Sequence, residues 1–167
     1  MIQGLVIRPA ELIDRAGIRE VELQAFGQPS EADLVEALVA AGDSVLELVA
    51  TQEGEIVGHV LFTRLFVEDG NRRFPAMALA PLAVRPKRQD TGVGTALVEA
   101  AHALLNDAGE TLSVVLGDPA YYGRFGYAHE RAAGFSSDYQ CEALQALAWG
   151  EAPTTGRLVY APAFSDL

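Results

Sequence analysis

Arg88-Gln89-Asp90-Thr91-Gly92-Val93-Gly94-Thr95-Ala96-Leu97 sets two glycines at the start of a run whose apolar residues recur at Ala96, Leu97, Ala100, Ala101, Leu104, Leu105 and Ala108. That recurrence is a helical period, and Gly109 is placed to stop it. The first turn of a helix exposes N–H groups that lack acceptors, with the positive end of the helix dipole behind them, and glycines let such a backbone approach a phosphate. The stretch therefore reads as an anion cradle suited to a pyrophosphate. Gly-x-Gly before a helix also serves as a plain tight turn, so the surroundings decide between the two. A dinucleotide fingerprint would need a third glycine where Leu97 stands, and no Gly-Lys-Ser/Thr follows, so Rossmann and P-loop domains are disfavoured.

Upstream, Phe74 to Val84 reads as a strand interrupted by Pro81, which cannot donate to a ladder; a bulge or splay is expected near its end. Before it, Val45 to Thr51 and Ile56 to Val67 read as antiparallel strands, with Glu53-Gly54 between them and Asp69-Gly70 after them as turn signals. Leu5 to Arg8, ended by Pro9, reads as a first strand. Asp14 can cap a helix carrying Ile18, Val21 and Ala25, and Ser30 with Asp33 has the form of a capping box ahead of Leu34, Val35, Leu38 and Val39, closed by Gly42. Downstream, Leu112 to Leu116 reads as a strand, Asp118-Pro119 as a turn, and Ala120 to Phe125 as a short helix before Gly126. Tyr139 to Leu144 and Gly156 to Tyr160 are the remaining strand candidates.

The chain has 167 residues, half of them apolar, which suits one domain over residues 1–167 with a single core. Twelve Lys and Arg against 23 Asp and Glu leave a net charge of −11, which repels nucleic acid and draws amines, although an acidic surface also serves solubility. Cys141 is the only cysteine, so no disulfide framework or Cys/His zinc site is expected. No stretch approaches the roughly 20 apolar residues that span a bilayer, which points to a cytoplasmic protein without a membrane partner.

Leu82-Ala83-Val84-Arg85-Pro86, followed by Gln89-Asp90-Thr91-Gly92-Val93-Gly94, resembles the coenzyme A-binding segment of the GNAT N-acetyltransferase superfamily. The usual pattern there is Arg/Gln-x-x-Gly-x-Gly/Ala, and Gln89, Gly92 and Gly94 match it position by position. Tyr121-Tyr122-Gly123-Arg124-Phe125-Gly126-Tyr127 resembles the superfamily's aromatic-Tyr-x-x-x-Gly-aromatic segment. Leu116-Gly117-Asp118-Pro119-Ala120-Tyr121-Tyr122 and Tyr160-Ala161-Pro162-Ala163-Phe164 resemble one branch of N-acetyltransferases within it, so the resemblance spans most of the chain.

The resemblance implies an α/β (α+β) fold: a mixed, mostly antiparallel central sheet with helices on both faces and a splay between the fourth and fifth strands. It implies acetyl-CoA as co-substrate, without a metal. Leu82, Ala83 and Val84 would run along the pantetheine arm, Leu82 and Val84 binding it through backbone groups. Residues Arg88, Gln89, Asp90, Thr91, Gly92, Val93, Gly94 and Thr95 would hold the pyrophosphate, with Tyr121 and Arg124 flanking the cofactor. Tyr122 matches the general acid that protonates or hydrogen-bonds the departing thiolate; without the motif it would read as aromatic packing beside Tyr121, Phe125 and Tyr127.

The implied reaction is direct attack of an amine on the thioester in a ternary complex. A lysine-like amine with a pKa of roughly 10.4 is mostly protonated near neutral pH, so a base or water chain should help. His59 is the best-placed histidine for that task, and a structural role is its other reading. Two departures stand out. Asp90 sets a carboxylate near the proposed pyrophosphate, and Gly117-Asp118-Pro119 replaces the family's asparagine after the fifth strand, where Asp118 could take a polar role or simply start a turn. The acceptor, a small-molecule or peptide amine, is expected between Asp14 to Ala40 and the last hairpin. Exposed C-terminal strands suit a homodimer. The alternative function is a non-catalytic acyl-CoA-binding or protein-interaction module on the same fold.

Overall fold

In the computed structural model, which describes residues 2–166, the chain opens with a strand, β1 (Leu5–Pro9), and two helices, α1 (Arg15–Phe26) and α2 (Ser30–Ala40). Ile18 and Val21 of α1 and Leu34, Val35 and Leu38 of α2 share one buried cluster with Val49, Ile56 and Leu61, as helical spacing of apolar residues requires. The caps differ from expectation. Asp14 precedes α1, but its carboxylate accepts from the Glu11 N–H at 2.7 Å and pairs with the Arg8 guanidinium at 2.7 and 3.0 Å. Ser30 is already inside α2; Pro29 has helical dihedrals of −82° and −10° and takes the cap position, so no capping box forms. Gly42, at φ 78°, does end α2: the Gly42 and Asp43 N–H groups return to the carbonyls of Val39 and Leu38, both at 3.1 Å.

β2 (Ser44–Gln52) turns at Glu53 and Gly54, whose φ values of 54° and 81° suit a two-residue hairpin, into the long β3 (Glu55–Asp69). β4 (Arg72–Val84) runs back beside it. α3 (Val93–Asp107) then crosses to β5 (Leu112–Leu116), and two short helices follow, α4 (Pro119–Tyr122) and α5 (His129–Ala132). β6 (Phe135–Ser136), β7 (Leu144–Ala148) and β8 (Gly156–Val159) complete the sheet. The strand order is β1-β2-β3-β4-β5-β7, with β8 pairing both β3 and β6. Among the described residues only β4–β5 and β6–β8 are parallel.

The side-chain alternation of β3 divides the core. Val60 and Phe62 pack with Leu97, Val98, Ala101 and Leu105 of α3, whereas Leu61 faces α1 and α2. Gly58 lets α3 approach, because a Cβ there would lie 2.9 Å from both Leu97 and Val93 side-chain carbons.

The expected defect in β4 is present and shapes the site. Val60 pairs with Leu82 and Phe62 with Leu79, so Ala80 and Pro81 together oppose Leu61 in a bulge. β5 pairs with β4 only through Met77, Ala78 and Leu79. From Ala80 onward the two strands part.

The C-terminal stretch departs from the sequence reading. Tyr139 to Leu144 is not a strand; β7 begins at Leu144 and runs to Ala148. Before it, Ser137 and Cys141 carbonyls close turns with Gln140 and Leu144 N–H groups, each at 3.1 Å. The Gln140 side chain also donates to the Ala132 and Phe135 carbonyls at 3.0 and 2.8 Å. These local bonds compete with a ladder. Along the free edge of β7, Ala128 exchanges two 3.0 Å hydrogen bonds with Ala146. Among the described residues no helix is long and apolar enough to cross a membrane.

Candidate active site

The mouth of α3 is built by its loop. Gly92 caps the helix at φ 96° and Asp90 sits at φ 62°, left-handed backbone that Gly and Asp tolerate best. The Gln89 amide donates to the Val84 carbonyl at 3.0 Å, the Thr91 hydroxyl to the Arg88 carbonyl, and Arg88 Nε to Gln52 Oε1 at 2.9 Å. With the loop so held, the backbone N–H groups of residues 90–95 make no close backbone hydrogen bond among the described residues.

These N–H groups border a cleft of about 500 Å³. Arg88, Gln89, Asp90 and Gly92 line it from the loop, Gly94 and Thr95 from α3, Leu82 and Val84 from β4, and Tyr121 and Arg124 from the opposite wall. Arg124 lies 4.5 Å from the Tyr121 ring centroid and donates to Thr95 Oγ1 at 3.2 Å. A Cβ on Gly94 would stand 2.4 Å from the Tyr121 hydroxyl, so the bare glycine makes room for that ring.

Three residues of the expected cofactor-binding set line neither this cleft nor the next. Val93 is buried in the core, Thr91 is outside the wall, and the Ala83 side chain is buried in the cluster with α1 and α2. Arg85 N–H donates to Val57 O at 2.9 Å, so by strand alternation the polar groups of Ala83 also face β3. Those of Leu82 and Val84 then face the splay.

A second cleft, about 440 Å³, occupies the splay itself. Leu79 to Leu82 form one side and Val115, Leu116, Gly117, Asp118 and Tyr122 the other, with α1, α2 and the C-terminal loop opposite. Leu82 lines both clefts, so they meet there. The adjacent Tyr121 and Tyr122 each face one of them, their rings 5.0 Å apart at 83°.

The Tyr122 ring rests on Gly117, where a Cβ would lie 2.5 Å from Cε2. Gly117 is itself clamped by β7 and the residue before it: its N–H donates to Ala143 O and its carbonyl accepts from Gln145 Nε2, both at 3.1 Å. Gln145 is 1 % exposed. Asp118 caps α4, accepting from the Ala120 N–H at 3.0 Å. Behind the ring, the Tyr127 hydroxyl lies 2.8 Å from Ser113 Oγ and 3.0 Å from His102 Nε2. Burial lowers the His102 pKa to about 4 and keeps that imidazole neutral near pH 7. Burial, and then the neighbouring Tyr121, push Tyr122 up to about 12, so its hydroxyl keeps its proton.

His59 is not brought to the site. Its ring is wholly buried and lines neither cleft. Nδ1 lies 2.7 Å from Glu22 Oε2 and Nε2 2.8 Å from Glu47 Oε2, and Glu47 also pairs with Arg15. Burial alone would lower the His59 pKa, but the two carboxylates outweigh it and raise it. This charged chain ties α1 to β2 and β3.

A family model described as an acetyltransferase (GNAT) domain matches residues 6–129. The chain belongs to the GNAT acetyltransferase family. A curated relative, the uncharacterized N-acetyltransferase YjhQ of Escherichia coli, is 44% identical over 117 residues, 68% of this chain and 64% of its own length. This GNAT chain thus spans less than two thirds of that relative. YhbS of the same organism, also named an uncharacterized N-acetyltransferase, is 38% identical over 74% of this chain and 73% of its own length. The crystal structure of YhbS in complex with CoA superposes with a TM-score of 0.90 at 30% identity, covering 99% of this chain and 94% of that one. A Brucella melitensis GNAT acetyltransferase in complex with acetyl-CoA gives 0.82 at 33% identity, over 96% and 97%.

Gln145, Glu31, Phe26 and Tyr139 were not among the residues singled out from sequence. The first is a lone polar residue in an apolar strand, a pattern that flags a buried hydrogen-bonding task. The others come together only through the fold.

Proposed function

We propose that this chain transfers an acetyl group from acetyl-CoA to a primary amine by direct attack in a ternary complex. One observation carries the reading: unpaired N–H groups at the mouth of α3 open into a cleft that joins, at Leu82, a second cleft holding a proton-bearing tyrosine. Phosphates fit the first, because amides and a helix dipole supply donors and positive potential without a metal. The splay leaves the outward groups of Leu82 and the Val84 N–H free for strand-like bonds to an amide-bearing arm. The Val84 carbonyl is already taken by Gln89.

Tyr122 then stands where the sulfur leaves. A thiol pKa of about 8.5 against about 12 for this tyrosine makes full proton transfer uphill by roughly 3.5 units, or about 5 kcal/mol. The hydroxyl therefore acts as a hydrogen-bond donor that stabilises the developing thiolate while keeping its own proton. His59 takes no part, being internal; the amine loses its proton to water in the second cleft. The enzyme's main contribution is to hold amine and thioester together.

Calorimetry with CoA and thiol release from acetyl-CoA over a panel of amines test this, with Tyr122→Phe as the comparison. CoA binding with amine-dependent thiol release, lowered by the substitution, is expected. Binding without turnover on any amine would favour a non-catalytic acyl-CoA-binding module, and no binding would overturn the reading.

A further inference from the structure

The wall of the second cleft opposite Tyr122 has no task in the transfer itself, and its composition is uneven. Tyr139, Tyr160 and Phe164 form a row of edge-on rings, with centroids 5.1 Å apart at 82° and 5.4 Å apart at 66°. Phe26 and Leu34 continue the apolar surface across α1 and α2. Burial raises the Tyr160 pKa, so that phenol is neutral. Two carboxylates, Glu31 and Asp118, supply the only formal charges on the lining. Among the described residues no lysine, arginine or histidine reaches it. Glu31 is oriented by Gln28, whose amide donates to its two oxygens at 3.1 and 3.2 Å.

We infer that this half of the cleft selects a small monoamine with an apolar or aromatic body and no carboxylate or phosphate. The inference rests on the acetyl-transfer reading. An ammonium is drawn by the two carboxylates. A carboxylate or phosphate on the acceptor would meet like charge with no cation to pair it. A second ammonium, as in a polyamine, would be stripped of water against aromatic carbon. The cleft, about 440 Å³ in all, is shared with the thioester end of the cofactor, which leaves space only for a small acceptor. Glu31, as a charge on the wall, and Phe26, as part of its apolar face, are then specificity residues.

The test compares 2-phenylethylamine, phenylalanine, spermidine and glutamate as acceptors for the full chain, by kcat/KM in thiol release and by calorimetry on CoA-loaded protein. 2-Phenylethylamine should exceed each of the others by about tenfold or more, the margin of one uncompensated charged group. Glu31→Gln should raise KM for 2-phenylethylamine about tenfold and leave KM for acetyl-CoA unchanged. Phe26→Ala, at a residue 41% exposed and so tolerant of truncation, should lower kcat/KM for 2-phenylethylamine more than for spermidine. CoA binding with turnover favouring spermidine or the carboxylate-bearing acceptors would overturn this inference and leave the transfer reading intact. An unchanged KM in Glu31→Gln would also overturn it. Absence of any CoA binding would overturn both.

Discussion

One methyl group at Gly117 should disable transfer by displacing Tyr122. A Cβ there would stand 2.5 Å from Tyr122 Cε2, 3.1 Å from Cδ2 and 3.6 Å from Cζ. Carbon atoms normally rest about 3.5–4.0 Å apart, so one partner must retreat by roughly 1 Å. The backbone cannot, since Ala143 and Gln145 hold Gly117 from both sides at 3.1 Å. The Tyr122 ring must therefore move. A reacting group displaced by about 1 Å costs on the order of 10²-fold in rate. Gly117→Ala is thus expected to lower kcat by about 10²-fold, with KM for acetyl-CoA within roughly twofold, because the loss falls on the transition state. Gly117 lies outside the left-handed region, so alanine adds no backbone strain. Steady-state thiol release on Gly117→Ala, Tyr122→Phe and the double variant provides the assay. The double variant should be no slower than Tyr122→Phe alone, since both remove one contact. Undiminished kcat in Gly117→Ala, or losses that multiply, would refute the reasoning.

Three further outcomes follow from the same geometry. Gln145→Leu leaves the Gly117 carbonyl without its donor, while Ala143 O keeps the Gly117 N–H; a stability loss of about 1–3 kcal/mol in urea unfolding is expected, with a fall in kcat. Asp90→Asn keeps a side chain that tolerates φ 62° and removes a charge from the cofactor cleft. Calorimetry should show CoA binding tightened by about two- to tenfold well below 0.1 M salt, and less above it. His59, with a raised pKa, contributes stability that is full below its unfolded value of about 6.5 and is lost as pH rises through its higher folded value. Glu22, whose carboxyl burial pushes up, tilts stability the same way. The urea midpoint should fall as pH climbs through that window, and the slope should flatten in His59→Gln.

Local chemistry made the mouth of α3 legible. Gly92, Gly94 and the apolar period after them specify a turn, a helix and free amides within one short stretch, and Pro81 announces the break in β4. For the acceptor, sequence named only a region, Asp14 to Ala40 with the last hairpin; the side chains Phe26, Glu31, Tyr139 and Phe164 were not legible, because they lie far apart in the chain and carry no shared spacing. His59 shows the limit in the other direction. Its strand was placed correctly, but strand alternation alone does not say that Glu22 of α1 closes over the ring. Ser30 failed as a cap because the preceding proline already had helical dihedrals. Tyr139 to Leu144 failed as a strand because Ser137, Gln140 and Cys141 close turns with nearby backbone, a competition that hydropathy does not register.

Amide chemical shifts of the protein titrated with CoA test the central claim most directly. Large shifts at Gly92, Val93, Gly94 and Thr95, saturating together with the calorimetric signal, are predicted. Saturable CoA binding that leaves those four amides unmoved would contradict the account.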